Sequence, residues 1–336
     1  MPSQLQVGQS LGGRLGRYVI TRQLFSTVWL GKASGTVAYH PHTAVPTKSY
    51  KETRHGETVI NKSVQGHFRV ANERDILRRF SGRSPHIRPI VDEIIHPSEP
   101  TSIVLRHLDS TLLHASIDKI LNRRELKYVS RSILQALRVM HSEGFVHADV
   151  KLDNVLVNIG PKTSENRFAE VQLADMGSSY REDHKYALQG APIGAPMWRS
   201  PECLFELPWN TKTDIWSFGT LLISLIYGGN FNIFNPPGVP FNAAANEEYI
   251  FGVIKRQFQF FGPVTKKFLE IASEDALHVI VWLLENMRGS MKPFLRITER
   301  EMVKKDKEFI WWFMKFDPRD RPTAEEILAH EWWDDE

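Results

Sequence analysis

Hydrophobic positions along the chain fall into two regimes. Up to about residue 110 they come in short runs. Tyr18–Leu24 alternates and is rich in β-formers, as is Thr27–Leu30. Thr58–Val64, Ile90–Ile95 and Ser102–Leu108 read as three more strands. One helix interrupts them at Phe68–Phe80, where Val70, Ile76, Leu77 and Phe80 fall near helical spacing. Residues 31–58 hold several Gly, Pro, His and Thr with no lasting period, which predicts an irregular insertion.

Beyond residue 110 the period becomes helical. In Glu125–Ser142 the apolar residues Leu126, Val129, Ile133, Leu137 and Met140 form one stripe, and Gly144 stands where a helix would stop. Asp214–Tyr227 is apolar nearly all round, the pattern of a helix buried on every side. Ser273–Met287, Arg300–Met314 and Thr323–Glu331 read as further helices. The predicted class is α+β. An extension over residues 1–16 precedes a β-rich lobe over 17–108 and a larger helical lobe over 109–336. Composition narrows the setting. A net charge of +3 gives no reason to expect nucleic acid as a partner. The single cysteine, Cys203, rules out a disulfide framework and suits a reducing compartment. No run approaches the ~18 apolar residues of a membrane span, and MPSQLQVGQS lacks a signal pattern. The expectation is a soluble intracellular monomer, cytoplasmic or nuclear.

Chemistry enters with three segments in order: His147-Ala148-Asp149-Val150-Lys151-Leu152-Asp153-Asn154, then Asp175-Met176-Gly177, then Trp198-Arg199-Ser200-Pro201-Glu202. Over residues 17–334 the sequence resembles the eukaryotic protein kinases, whose catalytic loop reads H-x-D-x-K-x-x-N and is followed by D-F-G and A-P-E. The resemblance implies a bilobal fold and transfer of the γ-phosphate of ATP to a protein hydroxyl. Asp149 would take the hydroxyl proton. Lys151 would place its ammonium beside the γ-phosphate, and by family resemblance it favours serine and threonine over tyrosine. Asn154 and Asp175 would offer the hard oxygen ligands that Mg²⁺ prefers. In the small lobe Val59-Ile60-Asn61-Lys62 matches the V-A-I-K strand, so Lys62 would contact the α- and β-phosphates and Glu73 would pair with it. The same register makes Leu105 the back of the nucleotide pocket. It makes Arg106, His107 and Leu108 the hinge whose backbone meets adenine, and Val28, Ile60 and Leu156 the purine sandwich. Asp214 resembles the aspartate that anchors the catalytic-loop backbone, and Arg321 the arginine that pairs with Glu202. Arg199 and a long insert around residues 260–300 resemble the group that holds the cyclin-dependent, MAP and SR-protein kinases, and Arg17–Leu30, with Phe25-Ser26-Thr27-Val28-Trp29-Leu30, is most similar to its SR-protein-kinase branch.

Several positions depart from that pattern. Where the family has G-x-G-x-x-G, Arg22-Gln23-Leu24 runs directly into Phe25-Ser26-Thr27. Tyr18–Trp29 holds no Gly, Pro, Asn or Asp, so the two strands are expected either to meet in a strained turn or to merge. Ala148 replaces the arginine of H-R-D, and no hydroxyl lies between Tyr186 and Ser200 for an activating phosphate. Ala195 stands at the threonine of G-T-P, where a hydroxyl would bond Asp149 and Lys151. Met176 for phenylalanine is mild. These losses leave a second reading open, a pseudokinase scaffold with weak or no turnover. A small-molecule kinase is disfavoured by Trp198–Glu202 and the Asp214 helix.

Overall fold

The computed structural model describes residues 5–36, 55–161, 163, 166–240 and 247–334. The chain divides into two compact units, Met1–Asp109 with Gln172–Ser179, and Ser110–Val171 with Tyr180–Glu336. Strands dominate the first and helices the second, the N-lobe and C-lobe of an α+β chain. Among the described residues no helix is long and apolar enough to cross a membrane.

The N-lobe is a closed six-stranded barrel. Its strands are β1 (Ser10–Gly13), β2 (Gly16–Phe25), β3 (Val28–Thr36), β4 (Thr58–Ser63), β5 (Ile90–His96) and β6 (Ser102–Arg106), with helix α1 at Arg69–Phe80. Tyr18, Ile20, Trp29, Ala33, Val59, Val91, Ile94 and Val104 pack its interior. Strand β1 was not evident from the sequence, which placed residues 1–16 outside the lobe. It closes the barrel by pairing with both β2 and β5. The Asp92 carboxylate, fully buried, holds the β1–β2 turn. It accepts hydrogen bonds from the N–H groups of Arg14 (3.0 Å), Leu15 (2.9 Å) and Gly16 (3.1 Å) and from the Tyr18 hydroxyl (2.9 Å). Burial pushes its pKa up, against the pull of those donors.

Strand β3 runs on to Thr36, through residues predicted to be irregular, because it stays paired to β2 as far as Gly16↔Thr36. Residues 37–54 of the expected insertion lie outside the described residues. Strands β2 and β3 do not merge. They join through Ser26-Thr27, with Phe25 paired to Val28. A two-residue hairpin ordinarily needs a residue with φ > 0. Neither turn residue has one here, and register shifts between Ile20/Arg22 and Gln23/Phe25 take up the twist instead.

In the C-lobe the helix Arg123–His141 begins with a reciprocal capping box of Asn122 and Glu125. The helix Lys212–Tyr227 is buried from Thr213 to Leu225 and stops at Gly228, whose φ of 76° suits glycine. The helix Glu247–Phe261 went unread in the sequence; its Tyr249, Val253, Gln257, Phe258 and Phe261 are buried at helical spacing. Helices Glu274–Asn286, Lys304–Phe313 and Ala324–Leu328 complete the main elements.

Candidate active site

The N-lobe brings one group of predicted residues together. Pairing of Val28↔Lys62, Ile60↔Leu105 and Lys62↔Ile103 puts Val28, Ile60, Lys62 and Leu105 on one face of three adjacent strands. The alternate residues Val59, Asn61 and Ser63 are buried on the other face. His107 and Leu108 follow the end of β6. Lys62 Nζ lies 2.6 Å from Glu73 of α1 and 2.7 Å from Asp175. Burial opposes the charge on this ammonium, but the two carboxylates outweigh it, and the Lys62 pKa stands above the ordinary lysine value. Lys62 is therefore a fixed cation at neutral pH.

Asp175 reaches that position because its segment is tied into the N-lobe. Leu173 N–H donates to His86 O, and Arg88 N–H donates to Leu173 O. Farther on, Asn72 of α1 donates to the carbonyls of Gly177 (3.2 Å) and Ser179 (3.0 Å), and Arg69 bonds the Ser178 hydroxyl. Asp175 takes a left-handed backbone, φ 61° and ψ 67°. For a residue with a Cβ this costs roughly 1–2 kcal/mol, supported here by the contacts on either side. Asn72, Arg69 and Arg88 were absent from the sequence reading. Each acts through a segment about 85 to 110 residues away, and no local motif marks such a contact.

The C-lobe gathers a second group. The buried Asp149 carboxylate accepts through Oδ2 from Lys151 Nζ (2.8 Å) and Asn154 Nδ2 (2.9 Å). Asn154 Nδ2 also donates to the Asp149 carbonyl at 2.8 Å. Its amide nitrogen is thus committed to Asp149. Asp149 Oδ1 is buried with no hydrogen-bond partner. Ala195 brings no hydroxyl to it, and the backbone of Gly194 packs against the loop there.

The loop itself is held from below. Asp214, at the start of Lys212–Tyr227, accepts from the N–H groups of His147 (2.7 Å) and Ala148 (2.9 Å) and lies 2.9 Å from His141 Nε2. Ala148 has φ 68°, so the two N–H groups converge on one carboxylate at the cost of a left-handed residue. Leu156 lies on Val155–Ile159 opposite Thr111. Arg199 donates to the carbonyls of Ile193 (2.6 Å) and Gly194 (2.9 Å), and its own carbonyl accepts from Gln257. Arg321 meets Glu202 in two bonds of 2.7 and 2.8 Å, both side chains fully buried.

For Mg²⁺ the donor chemistry fits. The cation is held through one or two carboxylates together with substrate phosphates rather than by an all-protein cage. Asp175 carries a carboxylate and Asn154 an amide oxygen, both hard donors of the kind Mg²⁺ takes; among the described residues there is no cluster of three His, Cys, Asp or Glu suited to a metal.

Comparison with known proteins finds serine/threonine-protein kinases over part of the chain. Over 108 residues, 32% of this chain, it is 32% identical to the serine/threonine-protein kinase PAK 5 of Rattus norvegicus, covering 14% of that protein. Serine/threonine-protein kinase 4 homolog A of Dictyostelium discoideum is 35% identical over 108 residues, 32% of this chain and 22% of its own length. Serine/threonine-protein kinase SMU1 of Mycosarcoma maydis is 30% identical over 155 residues, 46% of this chain and 20% of its own. The matches therefore span less than a quarter of the length of these curated relatives. The family model described as the protein kinase domain matches residues 50–333, which takes in β4, α1 and the segments His147–Asn154, Asp175–Gly177 and Trp198–Glu202; the chain belongs to the protein kinase domain family.

Proposed function

We propose that this chain is an ATP-dependent protein serine/threonine kinase. The observation that carries the reading is the Asp149 carboxylate, with one oxygen fixed by Lys151 and Asn154 and the other buried without a partner. A base must be held in place yet keep a lone pair for the proton it accepts. A serine or threonine hydroxyl of a protein substrate donates its proton to Asp149 Oδ1 as its oxygen bonds to the γ-phosphorus and the bond to the ADP oxygen breaks. Lys151 meets the charge that gathers on the transferring group. Lys62, held by Glu73 and Asp175, binds the α- and β-phosphates. Val28, Ile60, Leu105 and Leu156 enclose the purine, and the backbone at Arg106, His107 and Leu108 meets its edge. Mg²⁺, held by Asn154 and Asp175 when bound, supplies neutralisation of phosphate charge.

Within the family we assign the chain to the SR-protein-kinase type. Support for that branch is the Arg17–Leu30 stretch; Arg199, which clamps the carbonyls of the preceding segment, and the stretch around residues 260–300 support the wider group with the cyclin-dependent and MAP kinases. We also assign it a soluble, monomeric state in the cytoplasm or nucleus.

Transfer of labelled γ-phosphate to a basic protein substrate tests the reading, with Asp149→Asn beside the wild type. The expected loss is about 10²–10⁴-fold, the usual share of a general base. The variant should retain the rise in melting temperature that Mg-ATP gives by mass action. Equal background from both proteins, or no melting shift in the wild type, refutes it.

A further inference from the structure

Arg88 is a charged side chain placed where the kinase reading would seat the edge of the nucleobase. It is only 9% exposed. Its guanidinium donates twice to one acceptor, the Arg106 carbonyl oxygen, from Nε at 2.9 Å and Nη2 at 2.6 Å. Its backbone N–H is bound to Leu173 O, so the residue is fixed at both ends. Glu73 and Asp175, the carboxylates that hold Lys62, supply the field that keeps this buried cation charged. Burial draws its pKa down only to about 10, so it remains a cation at neutral pH. His107, the next hinge residue, also feels it: burial and the charge of Arg88 both lower the imidazole pKa.

A carbonyl oxygen has two lone pairs. The Arg106 oxygen already accepts two bonds from Arg88, so an amino group arriving at that position must compete with a buried guanidinium for it. The third guanidinium nitrogen, Nη1, makes no hydrogen bond among the described residues. Guanidinium has donors only, and it pairs with the 6-oxo group of purines. We propose that Arg88 is a specificity-determining residue of the nucleotide site. It competes for the hinge acceptor that would favour the 6-amino group of adenine and offers a donor to a 6-oxopurine, so the site takes GTP and ITP at least as readily as ATP. The inference rests on the kinase reading above and names the nucleotide class of that same site.

Dissociation constants for the non-hydrolysable imido analogues of ATP, GTP and ITP, measured with Mg²⁺ by calorimetry, test it. ITP isolates the 6-position, because it lacks the 2-amino group of guanine. In the wild type the ITP and GTP analogues are expected to bind as tightly as the ATP analogue or more so. Arg88→Met frees the Arg106 carbonyl and removes the donor, and should move the ratio about tenfold toward ATP, the worth of one or two hydrogen bonds. Arg88→Lys keeps the charge but cannot give the Arg106 oxygen two donors from one rigid fork, and should move the ratio the same way by less. A wild type that prefers the ATP analogue by tenfold overturns the proposal without need of any variant. So does an unchanged ratio in folded Arg88→Met, and in both cases the kinase reading stands. If no analogue binds any of the proteins, the nucleotide site itself is refuted, and this inference with it.

Discussion

Replacing Glu202 with glutamine changes one atom type in the most enclosed ion pair of the C-lobe. Arg321 then keeps its charge with no counter-ion, since both side chains are fully buried. Removing one partner of such a pair typically costs 3–5 kcal/mol. Three carbonyls, those of Lys212, Lys315 and Phe316, also accept from Arg321, and the guanidinium lies 5.2 Å from the Trp216 ring centre. These contacts solvate the stranded charge in part, which places the expected loss near the lower bound, about 3 kcal/mol. At about 2–4 °C per kcal/mol for a unit of this size, the C-lobe should melt roughly 6–12 °C lower. Thermal unfolding followed by circular dichroism reads the shift. The double variant Glu202→Gln/Arg321→Met removes the charge along with its partner and should recover at least half of the loss. A single-variant shift under 2 °C, or a double variant less stable than either single one, would show that the pair is not what holds this region.

Two further outcomes follow from the packing. A Cβ added at Gly13 would fall on the Asp92 carboxylate, 2.8 Å from its Cγ and 2.9 Å from the Tyr18 ring. Gly13→Ala should therefore displace the anchor of the β1–β2 turn and cost about 3 kcal/mol in urea denaturation, whereas Gly35→Ala, with open space around it, should cost far less. Cys203 is buried, and burial with the nearby Glu202 charge pushes its thiol up to about 12. Native protein at pH 8 should leave a thiol-specific disulfide reagent unreacted, and reaction should begin only as denaturant opens the C-lobe; prompt native labelling would contradict that burial.

What the sequence disclosed depends on how far apart the interacting groups lie. The amphipathic stripe of Arg123–His141 and the all-apolar face of Lys212–Tyr227 are local signals, and the helices formed within a residue or two of their predicted ends. Asp149, Lys151 and Asn154 share one short loop, so spacing alone places them together. Strand β1 is different. Its residues Ser10–Gly13 are half glycine and carry little β-preference. They become a strand because β2 and β5 lie on either side and Asp92 holds the turn. Arg88 reads as an ordinary residue between a helix and a strand until Leu173 pairs beside it. The hairpin at Ser26-Thr27 closed without glycine because irregular pairing upstream supplies the bend that turn chemistry did not.

Barrel closure has a bearing on where the chain can be cut. Arg17, the boundary expected from the sequence between extension and lobe, is an inviting place to begin a shortened version. Such a version would strip β2 and β5 of their shared neighbour and leave each with a row of unsatisfied N–H and C=O groups. A ring of strands would become an open ribbon with two sticky borders. Self-association would then follow from the choice of first residue rather than from any property of the catalytic machinery.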